Sequence, residues 1–415
     1  MFKRVLSTFV VAFLAISTGF GQDNGHTTGE LLGQDLNDKV NTITTAVPFL
    51  LIAPDARGGG MGDAGVASTP DANSIHYNPS KYAFITNQSG LSISYTPWLS
   101  NLIDDIHLLY LSGYIRYDEK STLGGSLRYF SLGDIIFTDV VGNTTGQYKP
   151  NEFSLDLAYS RLLSRNFSGS IALRFIHSDL TGGTYVDGIE SHPGNAVASD
   201  VSFYYQNEVS LLDKEGIFAW GINLSNLGSK ISYTENAEKD FLPANLKLGT
   251  AYTMEIDDYN KFMLSFDINK LLVPTPPTYL NDEDGLPVYD DEGNQVVEFG
   301  RDPNVSTASG VFQSFYDAPG GGTEEFREFN YSIAAEYWYA DQFALRAGYF
   351  YENPFKGNRN FYTVGMGLRL NVFSLDFSYL ISPTTRHPLA NTLRFTLTFD
   401  FDAFENSETS KTKSS

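Results

Sequence analysis

Gly60, Gly62 and Gly65, within the stretch GGGMGDAG at 58–65, spell G-x-G-x-x-G. In a nucleotide enzyme that turn offers backbone amides to a pyrophosphate. It does so only between a strand and a helix, with an acidic residue about 20 positions on for the ribose. An apolar run, 47–52, does precede the glycines, but Pro70 breaks any helix within two turns, and no carboxylate falls at 82–85. The motif therefore lacks the setting for nucleotide chemistry, and the glycines need another explanation.

Other candidate chemistry is equally sparse. His26, His76, His107, His177, His192 and His387 show no paired metal spacing, and neither HExxH nor G-x-S-x-G occurs. Asp104, Asp105 and His107 lie close together near a strand start, as a Ser–His–Asp hydrolase would need. No partner serine can be placed, so loop charge is the simpler reading. The acidic runs 281–285 and 290–294 resemble calcium loops but miss the D-x-[DN]-x-[DN]-G-x₅-E pattern. They read as a solvated hairpin with acidic turns. We expect no enzyme, no cofactor and no metal site.

The elements that carry these residues are more informative. Lys3 and Arg4 precede the apolar stretch 5–16 and small residues near 19–21, the pattern of a secretory signal peptide cut before Gln22. The chain has no Cys, which excludes lipid anchoring through a thioether and any disulfide. Removing Lys3 and Arg4 from the 28 basic residues leaves 26 against 49 acidic ones, a net charge of −23. Such acidity argues against nucleic acid as a partner.

Alternation with period two dominates the rest. Leu155, Leu157 and Tyr159 alternate with Ser154, Asp156 and Ala158; Phe343, Leu345, Ala347 and Tyr349 do the same later. Segments fall at 90–99, 105–117, 120–132, 150–163, 166–178, 199–213, 217–229, 244–257, 259–272, 326–340, 342–353, 359–371, 372–382 and 389–401. Membrane-spanning strands need about 9–11 residues, longer than soluble ones, and bacterial barrels have even strand numbers. Short and long links alternate, with 273–325 the longest. The expected fold is an all-β membrane protein, a fourteen-stranded antiparallel outer-membrane β-barrel. Its long loops face the exterior and both termini the periplasm, in contact with lipid bilayer and lipopolysaccharide. The segment 105–117 is apolar on both faces, so its register stays open.

Residues 22–89 have little periodicity and are rich in Gly, Pro and Asn. Irregular backbone cannot face hydrocarbon but can pack inside a barrel, so this stretch is expected to be an N-terminal plug, or hatch. Its backbone would use Gly58, Gly59, Gly60, Gly62, Gly65, Asn78 and Pro79. Ten charged residues fall on the polar sides of strands: Arg128, Asp156, Arg174, Glu208, Lys247, Asp267, Glu336, Arg346, Asp376 and Arg394. Five are basic and five acidic, which suggests mutual pairing across a lumen, not selection of one sign of ion. The organisation is then 1–21 signal peptide, 22–89 hatch, 90–401 barrel and 402–415 polar tail.

The run PFLLIAPDARGGGMGDAGVASTPDANSIHYNPSKYAF, 48–84, resembles the hatch of the FadL-like barrels, in which a Gly-rich stretch and an Asn-Pro motif precede fourteen strands. Its opening Pro48-Phe49-Leu50-Leu51-Ile52 with Asp55-Ala56-Arg57 is more similar still to the PorV family of type IX secretion. A tail beyond Phe401 departs from barrels that end at their last aromatic. The resemblance implies a non-enzymatic protein that binds the C-terminal domains of exported cargo. It would take them from the giant outer-membrane translocon barrel to the surface sortase complex. A FadL-like transporter of hydrophobic small molecules is the alternative.

Overall fold

A computed structural model describes residues 40–99, 105–138, 141, 144–183, 185–186, 189–211, 214–234, 239–282, 284–383 and 388–401. The expected signal peptide, residues 22–39 of the expected hatch, the expected polar tail, Asp104, His26 and His387 lie outside the described residues.

Fourteen strands close into one antiparallel barrel. In chain order they are β1 (Ser89–Pro97), β2 (Ile106–Arg116), β3 (Ser121–Leu132), β4 (Asn151–Leu162), β5 (Phe167–Asp179), β6 (Gly194–Leu211) and β7 (Lys214–Gly228). They continue as β8 (Asn245–Glu255), β9 (Asn260–Leu271), β10 (Phe329–Tyr339), β11 (Phe343–Tyr351), β12 (Asn360–Arg369), β13 (Phe373–Ile381) and β14 (Leu393–Asp400). Each strand pairs with its sequence neighbours, and β1 closes the ladder on β14 from Gly90↔Asp400 to Tyr95↔Phe395. The expected spans hold within a few residues. The largest departure is β6, which begins at Gly194, where five extra residues pair with β5 from Gly194↔Ser178 to Ala198↔Arg174.

The burial pattern inverts that of a soluble sheet. In β5, Ser168, Ser170, Arg174 and Ser178 are buried, while Ile171 and Leu173 are about 60% and 61% exposed. In β4, Ser154, Asp156 and Ser160 are buried and Leu157 is exposed. An outer face this greasy belongs in hydrocarbon, and a closed ladder leaves no unpaired strand edge there. The open register of β2 now has its cause. Leu109, Leu111 and Ile115 point outward, while Ile106 and Leu108 point in and pack with Val47, Phe49 and Leu50. Both faces are apolar because both meet apolar matter.

Tight links join β2–β3, β4–β5, β6–β7, β8–β9, β10–β11 and β12–β13, all at one end of the barrel. At the β10–β11 turn, Ala340 and Asp341 both take positive φ, 54° and 53°, as the twist of a two-residue hairpin requires. Every longer connection lies at the other end. The longest, 272–328, is no bare loop: it folds into a hairpin, Thr278–Tyr279 on Val297–Phe299, and into helices Thr307–Gln313 and Gly322–Arg327.

Before β1, the chain makes a 3₁₀ turn Pro48–Leu51, the single helical turns α1 (Ala56–Gly59) and α2 (Ser74–Tyr77), and a 3₁₀ helix Pro79–Phe84. Its first described residues sit among the long connections: the Asn41 amide donates to Phe355 O and that of Ala46 to Phe241 O. By residue 86 it has reached the tight-turn end, where β1 starts and β14 finishes. The termini themselves, expected on the periplasmic side, lie outside the described residues. The chain from Val40 to Ser89 runs the length of the barrel before its first strand.

A closed barrel predicts heat-modifiable migration. In detergent the folded protein should resist SDS at room temperature and shift after boiling, with a β-type circular-dichroism spectrum; a helical spectrum would overturn the fold.

Candidate functional site: the charged inner face and the N-terminal segment

The glycines of the opening motif explain themselves through their neighbours. The Gly65 and Val66 amides donate to Asp267 Oδ2 at 2.7 and 2.9 Å. A strand carboxylate thus occupies the place a phosphate would take. The Gly62 amide donates to Thr363 Oγ1 at 2.8 Å, and that hydroxyl donates on to Gly60 O at 3.0 Å. The Gly58 amide donates to Asp55 Oδ2 at 2.9 Å. Gly62 holds φ at +62°, and a Cβ there would lie 2.8 Å from the Tyr349 backbone nitrogen. At Gly60 a Cβ would meet the Cα of Gly365 at 3.1 Å. Backbone lies directly on backbone, which only a residue without a side chain permits.

The Asn-Pro pair anchors the other half of the segment. Asn78 Nδ2 donates to Val66 O at 3.1 Å and Phe203 O at 3.0 Å, and its Oδ1 accepts from the Ser80 amide at 3.1 Å. Pro79 O accepts from Ser160 Oγ at 2.7 Å, and Ser80 O from Ser168 Oγ at 2.7 Å. Small hydroxyls on the inner strand faces therefore satisfy carbonyls of irregular backbone.

Charge carries the strongest attachments. Arg57, on α1, grips Glu336 of β10 through Nη2–Oε1 at 2.7 Å and Nε–Oε2 at 3.0 Å. Its Nη1 donates to Asp71 Oδ2 at 2.7 Å. Glu336 is shared with Arg346 at 2.7 Å, and Arg346 reaches Asp376 at 2.6 Å. A second group joins Arg174 to Asp156 at 2.5 Å and to Asp200 at 3.2 Å. The expected pairing of Asp156, Arg174, Glu336, Arg346 and Asp376 thus has direct geometry.

The remaining predicted residues depart from it. Asp267 serves backbone amides, not a cation. Arg128 donates to the carbonyls of Leu50 at 2.7 Å and Phe49 at 3.2 Å and contacts His76 Nδ1 at 2.7 Å. It caps the 3₁₀ turn at 48–51, a role open to guanidinium because a helix end leaves carbonyls unpaired. Glu208 is exposed near the end of β6, past the reach of the segment. Lys247 makes no ion pair among the described residues and approaches the Tyr77 ring at 5.9 Å. Arg394 lies 3.6 Å from Asp63, a loose contact.

Sequence periodicity missed Arg57, Asp71, Lys81 and Asp200. The first three sit in irregular chain, and Asp200 falls where the expected β6 was only beginning. Asp105 accepts from the Asp134 amide at 2.7 Å, and His107 contacts its carbonyl at 3.1 Å, which makes the pair a loop brace.

The long connection is built on its own buried charges. Lys270 pairs with Glu328 and, at 3.3 Å, with Glu325; Lys356 pairs with Glu324 at 2.5 Å and Glu328 at 3.0 Å. Asn41 Nδ2 joins this cluster through Glu324 at 2.9 Å. Burial, reinforced by Glu325 and Glu328, pushes the Asp317 carboxyl up to about 6. The two acidic turns spend their carboxylates on themselves: Asp282 Oδ1 accepts from the Leu286 amide at 2.8 Å, Asp290 Oδ1 from that of Asn294 at 2.8 Å. Phe312, Tyr316 and Phe326 stand exposed on the same connection.

Greasy outside, charged within and with its N-terminal chain against the inner wall, this is an outer-membrane β-barrel. The family Type IX secretion system protein PorV matches residues 35–278, and the chain belongs to it. That match spans the N-terminal segment and β1 to β9. Solved structures similar to it include the Pseudomonas putida toluene transporter TodX, at 11% identity and TM-score 0.46, over 87% of this chain and 99% of that one. A Pseudomonas aeruginosa FadL homologue is similar at 11% identity and TM-score 0.39, over 87% and 99%. The Ralstonia pickettii toluene transporter TbuX follows at 9% identity and TM-score 0.41, over 84% and 96%. No curated protein sequence matches the chain.

Four substitutions test the attachment. Gly62→Ala should lower the temperature at which the SDS-resistant band disappears more than Gly60→Ala does, because it adds positive-φ strain to the clash. Arg57→Gln leaves Glu336 to Arg346 alone and takes the cation from Asp71, so it should destabilise the barrel, though by less than the about 3–5 kcal/mol of a fully unpaired buried charge. Urea unfolding of Arg57→Gln with Glu336→Gln should show less loss than the two singles summed, since the pair is coupled.

Proposed function

We propose that this chain is a non-catalytic outer-membrane component of type IX secretion. In this reading it binds the C-terminal domains of exported cargo and passes them from the giant translocon barrel to the surface sortase complex. Residues 22–89 act as a plug for the barrel at 90–401, with the long connections facing the exterior and the end of β14 the periplasm. The family match carries the reading. The folded 272–328 connection supports it, because exposed aromatics beside acidic turns make an apolar patch with a polar rim. Carriage of hydrophobic small molecules is the second reading, favoured by a cavity of about 420 Å³ at the inner wall, lined in part by Leu271, Phe350, Phe361 and Leu380. The tied segment below that cavity weighs against passage through the barrel.

Deleting the gene should leave type IX cargo unprocessed and retained, with growth on fatty acids unchanged; normal processing would reject the secretion role. Excising 281–323 should leave a heat-modifiable barrel but weaken cargo or sortase pull-down. Unimpaired pull-down would remove this connection from the mechanism.

A further inference from the structure

The 272–328 connection leans over the outer wall of the barrel. Alternation in β9 and β10 sends Leu264 and Ile333 outward, half-exposed, and Asp267 and Ser332 inward, buried. The ladder between these strands runs without a register shift to Lys270↔Phe329, which puts both of those residues on the outward side. Lys270 is nevertheless only 1% exposed. Its cover comes from the connection: Glu328 and Glu325 pair with its ammonium, and the Phe315 ring lies 5.5 Å away, beside that of Phe329 at 5.4 Å. The connection therefore folds against the lipid-facing side of the ladder.

Helix Gly322–Arg327 carries the edge that meets this lipid. Glu324 and Glu328 are buried, and Glu325 turns to Lys270 and to the amides of Asp317 and Ala318 at 2.7 and 2.9 Å. The opposite side presents Gly322, Thr323 and Phe326, all exposed and uncharged. Phe326 is 74% exposed, and its ring centroid lies 6.5 Å from that of Phe329. Phe329 adjoins a band of outward aromatics, in which Tyr331 lies 6.3 Å from Phe266 and 6.4 Å from Tyr351. Barrels place such bands where hydrocarbon meets water, and Phe326 continues this one beyond the last ladder pair. We propose that the Phe326 face of this helix rests in the lipid leaflet at the long-connection end, its ring among acyl chains at the head-group boundary. Water would leave an apolar ring exposed beside a greasy wall, and a protein partner would have to displace lipid to reach it. Charge agrees. In a chain this acidic, three neighbouring carboxylates turned away from the surface leave a face that anionic lipid does not repel. Lipid thus braces the outer edge of the connection, while Tyr289, exposed beside the acidic turns, stays in water.

The absence of Cys makes this depth measurable. Phe326→Cys, Thr323→Cys, Ile333→Cys and Tyr289→Cys, each checked for heat-modifiable migration, are labelled with a nitroxide in vesicles of phosphatidylethanolamine and phosphatidylglycerol. Power saturation with oxygen and with a neutral nickel chelate then compares access from lipid with access from water. The oxygen-to-nickel ratio at Phe326 should exceed that at Tyr289 at least threefold and approach that at the wall residue Ile333. Thr323→Cys leaves the ring in place, so its label should also exceed the Tyr289 value threefold. A smaller ratio at either position overturns the proposal and returns Phe326 to a water-facing patch open to a protein partner. No cargo enters the measurement, so its failure leaves the secretion reading standing.

Discussion

Hydrocarbon offers a backbone amide no partner, and from that single fact most of this molecule follows. The ladder must close, so β1 pairs with β14. Closure sends alternate side chains to lipid and to the interior, so the sequence alternates between Leu, Ile and Phe on one side and Ser, Thr, Arg and Asp on the other. The interior this creates is polar and narrow, and its groups need partners of their own. The N-terminal segment supplies many of them, and receives the same service in return: its irregular carbonyls and amides find Ser160, Ser168, Thr363 and Asp267.

Electrostatics then sets how firmly the two are joined. Glu336 is held by Arg57 from the segment and Arg346 from the adjacent strand, so wall and segment share one counter-ion. Buried ion pairs add little net stability relative to apolar packing, but they punish misplacement severely. A mis-threaded segment would leave Glu336 short of Arg57 and Asp267 short of the Gly65 and Val66 amides at once. That cost specifies the path of the chain more than it deepens the fold. The glycines do complementary work by sterics, allowing backbone contact at β11 and β12 that no side chain could share.

At the long-connection end the same logic is repeated on a smaller scale. Lys270, Lys356, Glu324, Glu325 and Glu328 form the base on which 272–328 folds, and Asn41 ties the incoming chain to it. A connection supported in this way can hold exposed Phe312 and Phe326 at fixed positions, which a floppy loop cannot. The family match ends at residue 278, so all but the first residues of this connection stand beyond it.

Period-two alternation by itself determined the strand number, the approximate spans, the inward and outward faces and the segregation of short from long links, because each depends only on local pleat and hydropathy. It also put Asp156, Arg174, Glu336, Arg346 and Asp376 on the inner face. The tertiary structure decided who meets whom. Arg57, Asp71 and Lys81 lie in chain without periodicity: Arg57 meets Glu336 on a distant strand, whereas Asp71 meets Arg57 and Lys81 donates to Gly65 O within the segment itself. Asp267 and Arg128 look like any lumen charges in sequence, yet one binds amides and the other carbonyls. Glu208 shares their parity but falls beyond the segment's reach. The inward apolar face of β2 was illegible for the same reason: its partner, the 3₁₀ turn at Phe49, arrives from elsewhere. Faces follow from local geometry, whereas partners follow from where the chain is threaded.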